Sequence, residues 1–247
     1  MRAVIAALIT FSLLIAAPAG AADIDDAVKA RLADRLAQID PRLSIETVAE
    51  SGLPGLYEVV LDSGEVLYVD ESAGYMLAGQ LYRLAGEQGL VNLTEQRLQG
   101  VRVQALAEVP AEERVIFPAT GETKARIQVF TDVDCAYCRK LHDEVAELNR
   151  MGVQVDYLAF PRGGERSAAA AKMTAIWCAE GEQRRELMTR AKQGAGLQAA
   201  DCDNPVLEQF ALGQRLGVNG TPALVLDDGR MLPGYLPADR LAQILGL

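Results

Sequence analysis

Cys135 and Cys138 stand three positions apart in the stretch Phe130-Thr131-Asp132-Val133-Asp134-Cys135-Ala136-Tyr137-Cys138. An apolar, β-type run from Ile127 to Phe130 leads in, and Leu141, Val145 and Leu148, at helical spacing, lead out. The pair therefore falls where a helix begins. Unpaired N–H groups and the helix dipole favour an anion there, so a thiol ionises more readily. Cys135 is the sulfur such a geometry exposes. Cys138 lies one turn in, close enough to close a small ring. The spacing predicts a redox dithiol. It also suits half of a zinc site, but zinc needs a second close cysteine pair or paired histidines. The other two cysteines, Cys178 and Cys202, are far apart, and His142 is the only histidine. No metal and no other cofactor is expected.

The chain has 247 residues, half of them apolar, and a net charge of −10. That length accommodates one large or two ordinary domains with packed cores. With no block of Lys and Arg, a nucleic-acid partner is not expected. Arg2, the apolar run Ala3 to Ala17 and the small residues up to Ala22 read as a signal peptide, residues 1–22, cleaved after Ala21 or Ala22. An uncleaved membrane anchor is the alternative, but the run is short and acidic residues follow at once. An exported chain with an even number of cysteines should pair those left over. Cys178 and Cys202 are therefore expected to form a structural disulfide, contributing about 3 kcal/mol in the chain-entropy model.

The elements that must position the dithiol follow from periodicity. Ile24, Val28, Leu32 and Leu36 predict a helix ended by Asp40-Pro41. Four short strands, Ser44–Val48, Tyr57–Leu61, Val66–Val69 and Tyr75–Ala78, predict an antiparallel meander. So small a unit leaves sheet edges exposed, which a dimer partner would cover; an independent monomeric subdomain is the alternative. Asn92 offers a cap, with Glu95 three residues on, for a connecting helix to Glu108. Beyond it the pattern is strand Val115–Phe117, strand Ala125–Thr131, one helix from Cys135 or Cys138 to Arg150, and strand Val153–Phe160. Helices Ser167–Ala179, Glu182–Gln193 and Pro205–Leu216 follow, then a hairpin, Ala223–Leu226 and Arg230–Leu232, and helix Pro237–Leu245. That order is the frame of a thioredoxin-like domain.

Several motifs in this order resemble the bacterial periplasmic disulfide isomerases of the DsbC/DsbG family. They are Val129-Phe130-Thr131-Asp132, Cys135-x-Tyr137-Cys138-x-Lys140-Leu141-His142, Tyr157-Leu158-Ala159-Phe160-Pro161-Arg162, Ala175-Ile176-Trp177-Cys178-Ala179 and Gly217-Val218-x-Gly220-Thr221-Pro222-Ala223. The resemblance implies an α+β, cystatin-like N-terminal dimerisation domain (residues 23–90), a linker helix (91–111) and an α/β thioredoxin-like catalytic domain with a helical insertion (112–247). It implies a V-shaped homodimer in the periplasm whose cleft binds misfolded, disulfide-bonded exported proteins. A membrane thiol reductase of the DsbD type would keep the dithiol reduced. Thr221-Pro222 would be cis and, with Tyr137, would line the substrate site.

Thiol chemistry assigns the roles. Cys135 attacks a substrate disulfide, and Cys138 resolves the mixed disulfide. Arg139 and Lys140 favour a thiolate, Asp132 and Asp134 oppose it, and Asp134 is a candidate helix cap; a solvated rim is the alternative for all four. His142, seven residues beyond Cys135, is about 10 Å away along a helix and is expected at the surface. Ala136-Tyr137 departs from the family's usual Gly-Tyr, and Arg139 from its usual His, so the reduction potential is not inherited. Two rivals remain: a monomeric dithiol oxidase, against which the meander argues, and a holdase chaperone in which thiols are secondary.

Overall fold

A computed structural model describes residue 24, residues 26–84, residue 86 and residues 89–247. The expected signal peptide lies outside the described residues.

The first helix, α1 (Asp26–Ile39), buries Val28, Leu32 and Leu36, whose spacing of four places them on one face. They pack on a four-stranded antiparallel sheet, β1 (Ile45–Glu50), β2 (Leu56–Leu61), β3 (Val66–Asp70) and β4 (Met76–Ala78), ordered as in sequence. Val59, Leu61, Leu67 and Val69 face the helix, and Val60, Val66 and Tyr68 face the other way. Both faces of the central strands are thus covered, the second one partly by Leu98 of the connecting helix. A short hairpin that the periodicity did not predict, β5 (Tyr82–Leu84) and β6 (Leu90–Asn92), precedes that helix.

The connecting helix, α2 (Leu93–Ala107), runs unbroken through Gly100. Asn92 caps it, its side chain accepting from the Glu95 N–H at 3.0 Å. Glu95 does not close a capping box; its carboxylate is held by Arg102 at 2.6 Å. The helix is fastened at both ends. Thr94 bonds the Tyr68 hydroxyl, and Arg97 pairs with Glu58 at 2.6 Å. Arg102 is buried and donates to the Leu216 and Gly229 carbonyls, each at 3.2 Å. Leu106 and Val109 join the core of the second sheet.

That sheet has the order β11-β10-β8-β9-β7, built from β7 (Val115–Phe117), β8 (Ala125–Thr131), β9 (Val153–Ala159), β10 (Ala223–Leu226) and β11 (Met231–Pro233). Strands β8 and β9 are parallel, with Val129 opposite Tyr157; the other pairs are antiparallel. Period-two alternation sends Ile127, Val129, Val155 and Tyr157 into the main core and Phe130, Leu158 and Phe160 into a second cluster beneath α2. Leu141, Leu148, Met173 and Ile176 complete the main core, each contributing about 2 kcal/mol by burial. Gly213 in α7 (Val206–Arg215) lets that helix lie against aromatic rings: a Cβ there would meet Phe160 at 2.6 Å and Phe130 at 3.0 Å.

The helix after the dithiol differs from expectation. It divides into α3 (Ala136–Asp143) and α4 (Val145–Arg150), with the break at Glu144. The Glu144 carboxylate accepts from the Tyr235 hydroxyl and, at 2.6 Å, from the Ala238 N–H that opens α8 (Ala238–Leu245). Those bonds tie the junction of the two helices to a segment far along the chain. Between the halves of the domain, α5 (Ala168–Trp177) and α6 (Gly181–Lys192) pack together. Cys178 and Cys202 are joined, with S–S 2.04 Å, and the loop they close contains all of α6.

Candidate active site

Strand β8 ends at Thr131, and a tight turn follows. Asp132 forms it: its Oδ1 accepts from the Asp134 N–H at 2.7 Å and its carbonyl from the Cys135 N–H at 3.2 Å. Cys135 is the N-cap residue of α3, extended at φ −78 and ψ 123, with no side-chain cap bond. Its sulfur thus occupies the place where a cap oxygen would sit. Asp134 is not the cap. It pairs with Arg139 at 2.9 Å and Lys172 at 2.8 Å. Nor is Asp132 part of a solvated rim; it is buried, and Oδ2 accepts from the Arg162 N–H at 2.9 Å and from Nε at 3.2 Å. Lys140 lies over the Tyr235 ring at 4.5 Å, turned to a different partner.

The two thiols are free, and both are buried, Cys135 to 2 % exposure and Cys138 to 0 %. The helix start does not expose Cys135 as its position suggested, because the Thr221-Pro222 segment covers it. The Thr221–Pro222 bond is cis. The Cys135 thiol donates to the Thr221 carbonyl at 3.2 Å. The Thr221 hydroxyl is buried without a hydrogen-bond partner. Tyr137, by contrast, stands 63 % exposed beside the covered sulfurs.

The environments split the pair. Burial pushes Cys135 up, but the Thr221 side chain, which can donate to the sulfur once it is an anion, the Cys138 N–H and thiol, and the Arg162 charge outweigh it; the net direction is down. Burial pushes Cys138 up and prevails, although the Lys192 charge, the Asp132 backbone and the Thr131 and Thr221 side chains oppose it. The surroundings thus favour the thiolate of the first sulfur and disfavour that of the second.

His142 corrects a second expectation. It is buried, its pKa pushed down to about 3 by burial and then by the Lys192 charge. Nδ1 lies 3.0 Å from the Tyr157 hydroxyl and Nε2 lies 3.0 Å from Thr189 Oγ1. Thr189 spends its own proton on the Arg185 carbonyl at 3.0 Å. His142 Nε2–H therefore donates to Thr189, and Nδ1 accepts from Tyr157. The neutral tautomer completes a closed chain of hydrogen bonds behind the dithiol.

Two cations near the sulfurs escaped the sequence reasoning. Arg162 was visible only as part of a motif. Lys192 carried one faint sign, its spacing from Met188 and Ala191, which places it on the buried stripe of α6.

A cysteine pair at the N-terminus of the first helix after a central strand, faced by a cis-proline loop, defines the molecule as a thioredoxin-fold thiol-disulfide oxidoreductase. Residues 113–247 match the thioredoxin-like domain, and residues 17–95 match the disulfide bond isomerase protein N-terminal domain. The chain is 37% identical over 238 residues to the thiol:disulfide interchange protein DsbC of Dickeya dadantii, covering 96% of this chain and 94% of that one. It is 36% identical over 232 residues to DsbC of Escherichia coli K12, covering 94% and 92%. With DsbC of Pasteurella multocida it shares 38% over 205 residues, covering 82% and 85%. The chain belongs to the DsbC family.

Proposed function

We propose that this protein is a periplasmic protein disulfide isomerase in which Cys135 attacks and Cys138 resolves. The opposite displacement of the two thiols is the observation that carries this assignment. The Cys135 thiolate attacks one sulfur of a wrong disulfide; the substrate S–S bond breaks, a Cys135–substrate disulfide forms, and the other substrate sulfur leaves as thiolate. That thiolate, or another on the client, then displaces Cys135 and completes the rearrangement with no net oxidation. If the client stalls, the Cys138 thiolate attacks Cys135 Sγ, and the client departs reduced. A membrane thiol reductase of the DsbD type must then return two electrons to the Cys135–Cys138 disulfide. Thr221 and Pro222 face the dithiol and Tyr137 stands exposed beside it, so these three line the client site. When Cys135 loses its proton, the bond to the Thr221 carbonyl is lost, and the unpartnered Thr221 hydroxyl is the group available to donate instead.

Residues 23–90 serve as the dimerisation unit, 91–111 as linker and 112–247 as catalytic unit of a homodimer. Tyr75, Met76 and Leu77 at the β4 edge and Leu84 and Leu90 on the β5–β6 hairpin are exposed, which supports a partner chain there. Between two arms, a client is held near either dithiol, which supports chaperone-like binding of misfolded exported proteins. The signal-like N-terminus and the Cys178–Cys202 disulfide support an oxidising compartment.

The test is reactivation of scrambled ribonuclease with a little reductant. The native chain should restore activity, and Cys135→Ser should not. Rescue by the variant at the native rate would sink the catalytic assignment, while a monomer in size exclusion would favour a dithiol oxidase. Protection of a cysteine-free client that survives loss of both Cys135 and Cys138 would give the holdase activity independent standing.

A further inference from the structure

Lys192, the last residue of α6, is 97% covered, with 3 % of its surface exposed. Among the described residues no ion pair involves it: Asp132 is taken by Arg162, and Asp134 by Arg139 and Lys172. Its Nζ donates instead to Thr131 Oγ1 and, at 3.1 Å, to the Asp132 carbonyl. Its remaining side faces the Tyr157 ring at 5.4 Å. A lone ammonium in such a place is costly and persists only where the fold holds it. Here the fold holds it at the end of β8, on the helix that packs against the one carrying Cys138.

The direction of the hydrogen bonds gives the charge a task. Thr131 Oγ1 accepts from Lys192, so its own hydrogen is free to point elsewhere, and the Thr131 side chain is among the groups that favour the Cys138 anion. The His142–Tyr157–Thr189 chain behind it is neutral and cannot supply charge. We propose that Lys192 is the positioning residue for the resolving step: through Thr131 it presents a hydrogen-bond donor and a buried positive charge to Cys138. This rests on the assignment of Cys138 as the resolving thiol.

The step balances without a further redox partner. In the mixed disulfide, the Cys138 proton passes to solvent base. The thiolate electron pair forms the Cys138–Cys135 bond, the Cys135–client S–S bond breaks, and the client sulfur leaves as thiolate. Lys192 gains and loses nothing. The titratable and charged groups that face it are Cys138, Cys135, Asp132, Arg139, Tyr157 and His142. Burial lowers the Lys192 pKa to about 8, against the opposing pull of Cys138 and Asp132, so the ammonium persists at neutral pH.

Stopped-flow reaction of the reduced full chain with dithiobis(nitrobenzoate) separates the two steps. The first nitrothiobenzoate released reports attack by Cys135, and the second reports displacement by Cys138. Lys192→Met should slow the second phase about tenfold at neutral pH and move its pH profile up by about one unit. The first phase should change by less than about threefold, half a pKa unit. Lys192→Arg should retain most of the second phase. Thr131→Val should slow it selectively with Lys192 intact, and Thr131→Ser should restore it. If Lys192→Met does not fold, the Lys192→Arg and Thr131 variants decide. Unchanged second phases in both Lys192→Met and Thr131→Val, or equal slowing of both phases, would overturn the proposal. A native chain without a first phase would instead overturn the assignment of Cys135.

Discussion

The protein holds two cysteine pairs in opposite settings. Cys178 is half-buried and Cys202 exposed, yet they are joined. Cys135 and Cys138 are buried, yet they are the free pair. Exposure therefore does not identify the reactive sulfur in this fold. What distinguishes the pairs is the company each keeps. Cys135 occupies a helix cap and faces Arg162 and Thr221; Cys138 faces Lys192 and Thr131. The Cys178–Cys202 bridge closes a loop and constrains the unfolded chain.

The comparison can be broken from either side. Cys135→Ser should remove exchange with a scrambled client by at least about a thousandfold, leaving at most the weak background of unassisted thiols. Replacing both Cys178 and Cys202 by Ser should do the reverse: the first phase of dithiobis(nitrobenzoate) reduction persists, while stability to urea falls by about 3 kcal/mol. A double variant as stable as the native chain would remove the bridge's structural role.

Acid sharpens the contrast, because a buried histidine with a strongly displaced pKa lies on the helix that carries the inner pair. His142 binds protons less readily folded (about 3) than unfolded (6.5), so the unfolded chain holds more protons between those values. The His142 contribution is fully present above pH 6.5 and is lost as pH falls toward 3, with a slope of up to about 1.4 kcal/mol per pH unit. Urea midpoints measured across that window should fall for the native chain and flatten in His142→Gln. Equal slopes would place the acid sensitivity elsewhere. The smallest effect belongs to Arg162. Its guanidinium is half exposed and therefore screened, so Arg162→Met should raise the Cys135 pKa by less than about one unit. Alkylation rates against pH should show that rise shrinking with added salt.

Much of the inner site was legible in the sequence because it is local. The strand, the dithiol and the helix start are contiguous, and Thr221-Pro222 announced itself as a motif. The remainder depends on bonds that no window contains. The break at Glu144 coincides with bonds to its carboxylate from Tyr235 and Ala238, 91 and 94 residues later. His142 follows a surface-looking spacing but is covered by Thr189 and Tyr157 from other elements. Lys192 reads as the charged end of an amphipathic helix until α6 is laid behind Cys138. The β5–β6 hairpin was missed because β5 is exposed throughout and β6 only partly covered, so no buried face imposes an apolar pattern on them.

The loop closed by Cys178 and Cys202 contains both Thr189 and Lys192. If Lys192 serves the resolving step, the outer bond is also a licence for the inner one. With Cys178 and Cys202 open, Cys135 would keep its setting while the segment that carries Lys192 loses its covalent closure. The double serine variant should therefore slow the second phase of dithiobis(nitrobenzoate) reduction more than the first.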